Sequence, residues 1–381
     1  MKNLVICCDG TANEFAQHNT NVVKLLSTLV TDPSQQISYY HPGLGTMEPS
    51  GALTPLARKI TKLFGMAFGY GLESDVRDAY VFLMNNFAEN DRVFLFGFSR
   101  GAYTVRAVAS LLHMYGLIRK GNDALVPYAI RMLTALDKET SGTSAAVPRS
   151  GINPSQVGRY FQLADQFSGT FSITECKPHF VGVWDTVSSV GWIQNFLKLP
   201  YTADNPDIAI GRQAVAIDER RAFFRQNLWR PKDPPAHSGP KDLKQVWFPG
   251  VHCDVGGGYS EEESGLSKLS LEWMISEARQ HGLLCDQNKV DRILGRSSGS
   301  TYAKPDANAK IHDSLTGWWR LAEFVPKPHF DWKTRKTTRR MNLFRSRTIP
   351  PGSSVHESAY QRGSGYSPTL PQDAVQIETT G

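Results

Sequence analysis

Residues 93–98, Val-Phe-Leu-Phe-Gly-Phe, run straight into Ser99-Arg100-Gly101, and the segment after them, AYTVRAVASLL, has helical spacing. A glycine two residues either side of a serine removes the Cβ atom at both ends of a turn. That is what a strand needs if it is to reverse sharply into a helix and leave one hydroxyl facing outward. The same five residues also suit a plain Gly-rich strand-to-helix turn with an incidental serine. The rest of the chain has to decide between the two.

Short apolar runs alternate with amphipathic segments along the chain. Residues 3–8, 36–46, 91–99, 178–187 and 244–259 read as strands. Residues 20–30, one or two stretches within 53–87, the segment after Ser99, residues 218–229 (DERRAFFRQNLW) and residues 269–283 read as helices. The fold class expected is α/β, α/β-hydrolase-like, with a mostly parallel sheet and helices on both faces. Ligands of such sheets bind beyond the C-terminal strand ends. Four predicted strands put a polar side chain at that edge: Asp9, Ser99, Asp185 and His252.

Composition narrows the class further. The chain has 381 residues, 40% of them hydrophobic, enough for a large core. No apolar run reaches the ~18 residues of a membrane span. The start, MKNLVICCDG, reads as a strand and not as a signal peptide, so a cytoplasmic location in the producing cell is expected, with any export by a non-classical route. Five cysteines without CxxC spacing argue against disulfides and a zinc site. Cys7 and Cys8 should face opposite sides of their strand. The net charge of +6 suits anionic surfaces, but no nucleic-acid module is present.

A serine hydroxyl needs an adjacent base, itself oriented by a third group. In chain order, Ser99, Asp185 and His252 follow the α/β-hydrolase sequence of nucleophile, acid and base. His252 would take the Ser99 proton while Asp185 holds the other ring nitrogen. The oxyanion hole calls for two N–H donors: Arg100, directly after the nucleophile, and Gly10 or Thr11 after the first strand. Asp9 and Asp254 are supporting acids, with Asp9 fixing the loop that follows it. His312 and His356 are rival histidines, each followed by an acid and a serine. Asp9-Gly10-Thr11 falls short of the Asp-x-Asp-Gly-Thr of haloacid-dehalogenase phosphatases, because Cys7 stands at the first position. This chemistry requires no metal and no organic cofactor.

The blocks CCDGTAN, GLGT, GFSRGAYTVRAVASLL, GVWDTVSSVG, FPGVHCDVGGGY, IHDSL and VHESAYQRGSGYSPTLP run in order from residue 7 to about residue 371. Together they resemble the catalytic domain of type VI secretion phospholipase effectors and their α/β-hydrolase relatives. The resemblance implies a serine esterase or lipase with Ser99, Asp185 and His252 as its triad, acting on glycerophospholipid esters. It also implies secretion machinery and an immunity protein as partners. An esterase or thioesterase for a soluble acyl group, or a non-catalytic binding module on the same fold, are the alternative readings.

Two stretches are candidates for contact with lipid. Residues 53–72 place Leu53, Leu56, Ile60, Leu63 and Phe64 on one helical face, with Arg58, Lys59 and Lys62 elsewhere. Residues 327–347 hold eight Lys or Arg and one Asp, interleaved with Phe330, Trp332, Met341, Leu343 and Phe344, a composition suited to an anionic membrane surface. Residues 1–299 are read as the catalytic domain. Residues 300–381 are read as a C-terminal extension packed on it or continuous with it.

Overall fold

The computed structural model describes residues 1–10, 19–43, 67–141, 154–174, 176–187, 191–192, 195–196, 199–229, 239–331 and 336–379. Its centre is an eight-stranded sheet of β1 (Asn3–Cys8), β2 (Gln36–His41), β3 (Arg92–Phe98), β4 (Pro178–Trp184), β5 (Ile210–Ala216), β6 (Asp242–Phe248), β7 (Ser354–His356) and β8 (Val375–Ile377). The spatial order is β8-β7-β6-β5-β4-β3-β1-β2, and each neighbouring pair is parallel.

Side-chain alternation along the strands explains why both faces are covered. Leu4, Ile6, Val93 and Leu95 point into one core with α2 (Ala67–Asn86) and α3 (Arg100–Tyr115). Val5, Cys7, Phe94 and Phe96 point into the other, with α1 (Asn21–Thr28) and the amphipathic helix Gly265–Gln280. Cys7 and Cys8 accordingly lie in opposite cores, and both are free thiols. Among the described residues, no helix is long and apolar enough to cross a membrane.

From β1 the chain passes to β2 on one side and later to β3 on the other. The strand order therefore reverses at the C-terminal ends of β1 and β3, where sheets of this kind bind their ligands. The glycines of the opening motif make that end of the sheet possible. A Cβ on Gly97 would sit 2.4 Å from the Gly101 carbonyl oxygen, and one on Gly101 would sit 2.1 Å from that of Cys8. The turn between β3 and α3 therefore closes tightly against the end of β1. Ser99, between them, adopts φ 58° and ψ −115°, in the positive-φ half that side chains disfavour.

Several sequence expectations change here. Strand β5 falls in a segment not read as a strand. The run 244–259 is a strand only as far as Phe248; a turn and the short helix His252–Gly256 follow. Residues 218–229 form no helix, because outside partners hold their backbone. Ala222 N donates to Glu323 Oε1 at 2.6 Å, Asn227 N to the Thr186 carbonyl at 2.9 Å and Trp229 N to Gln245 Oε1 at 2.8 Å. The C-terminal extension joins the sheet through β7 and β8 and adds a third core around Trp247, Ile349 and Val355. Residues 53–66 of the first lipid-contact candidate lie outside the described residues.

Candidate active site

The C-terminal edge of the sheet brings together side chains that follow three of its strands. Ser99 follows β3, and its Oγ lies 2.9 Å from His252 Nε2. Asp185 follows β4, and its Oδ2 lies 2.5 Å from His252 Nδ1. His252 itself is not at a strand end, as the sequence suggested. It opens the helix His252–Gly256, four residues beyond β6. Its ring is held between Phe98, with centroids 4.6 Å apart, and Phe224, at 4.9 Å. Asp185 is fully buried and His252 almost so, while Ser99 keeps 8% of its surface open.

Asp185 accepts more than the histidine bond. Ala216 N donates to its Oδ1 at 3.0 Å. The Arg347 guanidinium clamps both oxygens, Nη1 to Oδ1 at 2.5 Å and Nη2 to Oδ2 at 3.0 Å. Arg347 Nη1 also donates to the Ala216 carbonyl at 3.0 Å, and Nη2 donates to that of Phe224. Sequence reading placed Arg347 among the cations of an exposed basic stretch; its side chain is instead almost completely buried against Asp185. No local signal in the sequence marks this role, since the partner lies 162 residues away.

Electrostatics follow from this packing. Burial would raise the Asp185 pKa, but the Arg347 charge and the His252 hydrogen bond outweigh it and hold the carboxyl well below its ordinary range. Burial lowers the His252 pKa below 6.5, and Asp185 only partly restores it. Neutral imidazole, the form that accepts a proton, therefore predominates at neutral pH. Accordingly, kcat/KM on a soluble ester should rise with pH through a single acid limb centred below pH 6.5 and stay flat above it. A limb centred above 7 in a pH–rate profile would contradict this assignment.

The remaining candidates sort by geometry. Arg100 is the first residue of α3, so its backbone N–H lies at the helix N-terminus beside Ser99, where anionic charge is favoured. Gly10 N, expected as a second oxyanion donor, instead donates to Asp9 Oδ1 at 2.7 Å, so that donor is already engaged. Thr11 lies outside the described residues. Asp9 ties the end of β1 to its surroundings: Oδ2 accepts from Thr20 Oγ1 at 2.7 Å and from Tyr40 Oη at 3.1 Å. Asp254 accepts from Val251 N at 3.0 Å and lies 2.6 Å from His312 Nδ1, so it braces the turn that carries His252. His312 stacks on Tyr259 with centroids 3.7 Å apart. His356 bonds Ser358 and Thr379, and burial pushes its pKa down to about 4. Among the described hydrogen bonds, neither rival reaches Ser99 or Asp185. Among the described residues, no group of three or more His, Cys, Asp or Glu is placed to hold a metal ion.

Fold and site together define a parallel α/β protein with a hydrogen-bonded Ser–His–Asp array at the C-terminal edge of its sheet. Residues 2–277 match the family described as "T6SS, Phospholipase effector Tle1-like, catalytic domain", and the chain belongs to that family. A curated relative, the uncharacterized protein YEL023C of Saccharomyces cerevisiae, is 34% identical over 238 residues, or 60% of this chain and 33% of that protein. The chain thus spans about a third of that relative's length. Two solved structures are similar. An uncharacterized protein from Pseudomonas aeruginosa has 19% identity and a TM-score of 0.43, over 76% of this chain and 47% of that one. The Tle1 effector bound to the VgrG spike of the type 6 secretion system has 18% identity and a TM-score of 0.34, over 69% of this chain and 52% of that one.

Proposed function

We propose that the protein is a serine hydrolase of lipid esters, of phospholipase type, with Ser99 as nucleophile, His252 as general base and acid, and Asp185 as the orienting carboxylate. The observation that carries this reading is the continuous path from Ser99 Oγ through His252 to Asp185, with spacings of 2.9 and 2.5 Å. The substrate class comes from the family, whose description names a phospholipase effector.

In this mechanism, Ser99 Oγ attacks the ester carbonyl while its proton passes to His252 Nε2. Asp185 keeps Nδ1 protonated and stabilises the imidazolium that forms. The developing oxyanion lies toward the N-terminus of α3, where the Arg100 N–H donates. The leaving alcohol takes the proton from Nε2, and an ester joins the acyl group to Ser99. Water then attacks that ester, its proton moves to Nε2, and carboxylic acid departs as Ser99 recovers its proton.

The test is release of fatty acid from phosphatidylglycerol vesicles by purified full-length protein, beside hydrolysis of a short soluble ester and a short thioester. Release from vesicles by the wild type, abolished by Ser99→Ala, supports the reading. Turnover of only the soluble compounds would move the substrate class, and turnover that survives Ser99→Ala would refute the mechanism.

A further inference from the structure

The C-terminal extension carries an apolar surface that the catalytic chemistry does not use. It comprises α4 (Trp318–Ala322) with the residues after it, and the loop that leaves the hairpin Lys327–Asp331/Lys336–Arg340. Leu321, Phe324, Val325, Met341, Leu343 and Phe344 are each 39% to 59% exposed. The two segments are in contact, with the Phe324 and Phe344 rings 5.8 Å apart. Single exposed apolar residues are ordinary, but six gathered on two adjoining segments mark an interaction site.

The loop is also held in an unfavourable shape. Leu343 and Phe344 have φ of 50° and 63°, a region where glycine or asparagine is the usual occupant. The fully buried Glu323 imposes this shape. Its Oε2 accepts from Phe344 N at 3.1 Å and Asn342 Nδ2 at 2.7 Å, while its carbonyl accepts from Asn342 N at 3.1 Å. Backbone strain maintained by a buried carboxylate keeps two large apolar side chains in water.

Charge identifies what would cover them. Residues 318–325 and 338–347 together hold five arginines and one acid, and that acid is the buried Glu323. Arg347 turns inward to Asp185, while Arg320, Arg339 and Arg345 are exposed beside the apolar residues. Apolar tips flanked by cations complement a surface with an anionic layer over a hydrocarbon interior. We propose that this face docks on an anionic phospholipid bilayer, an inference that rests on the reading of Ser99 as acting on lipid esters. The dock and the triad share a frame. Glu323 Oε1 also accepts from Ala222 N at 2.6 Å, two residues before the Phe224 that packs on His252, and Arg347 follows Leu343 by four residues.

The test uses the full-length Ser99→Ala protein, so that bound lipid is not consumed, and sedimentation with equimolar phosphatidylglycerol and phosphatidylcholine vesicles. Binding should be strong at low salt, weak at high salt and weak on pure phosphatidylcholine. Replacing Arg339 and Arg345 with Gln should lower affinity about 30-fold. Replacing Leu343 and Phe344 with Ser should lower it about 10-fold or more, and Phe344→Trp should retain it. Thermal melting of each variant checks that it folds. Absence of binding, or binding indifferent to both pairs of substitutions, overturns the dock. So does dimerisation in sedimentation velocity that the Ser pair abolishes, which would assign the face to a second copy. Ester hydrolysis by the wild type is measured alongside. Vesicle binding without hydrolysis would remove the catalytic reading and support the dock, while hydrolysis without binding would remove the dock alone.

Discussion

Asp185→Asn should lower kcat/KM on a soluble ester by about 10⁴-fold, because an amide at this position no longer holds His252 in the tautomer that accepts from Ser99. The same change should destabilise the fold by about 3 kcal/mol, since it leaves the buried Arg347 guanidinium facing a neutral group. Combining it with Arg347→Met separates the two effects. The double variant removes both charges and should recover much of the lost stability, read as the urea midpoint, while activity stays at the Asp185→Asn level. Recovery of activity in the double variant would mean that Asp185 serves only to neutralise Arg347.

Arg347→Met alone should reduce kcat by about 100-fold or more, because Asp185 loses the planar fork that fixes both its oxygens. Removing the cation also strengthens the negative field that Asp185 exerts at His252. The acid limb of the pH–rate profile should therefore move to higher pH. Arg347→Lys keeps a charge but loses the two-pronged geometry, and should fall between wild type and Met in both rate and limb position. If Arg347 only braced the fold, melting temperature would fall and the limb would stay where it is in the wild type.

The parts of the site that could be read in the sequence have their cause within a few residues. Ser99 sits between glycines whose missing Cβ atoms the turn requires, and Asp185 directly ends the apolar run of β4. His252 lay close to its expected place, displaced only because β6 stops at Phe248. Arg347 was not legible, because its role is a contact across 162 residues and its neighbours are other arginines. Strand β5 was missed because Arg212 and Gln213 interrupt its apolar pattern. Arg212 is buried there only because Glu277 and Asp242 pair with it at 2.5 and 2.7 Å. The segment 218–229 has helical spacing, but Glu323, Arg347 and Gln245 capture its backbone, a tertiary effect that local propensity does not contain. Strands β7 and β8, three residues each, are too short to carry a period.

Activation of one serine by His252 is the central claim, and covalent labelling tests it most directly. A fluorophosphonate should modify the wild-type protein once, on the peptide that contains Ser99, as located by mass spectrometry. Ser99→Ala should abolish the label with its melting temperature unchanged or raised, and His252→Ala should slow labelling by several orders of magnitude. Labelling at another residue, or at Ser99 with equal speed when His252 is absent, would contradict the account.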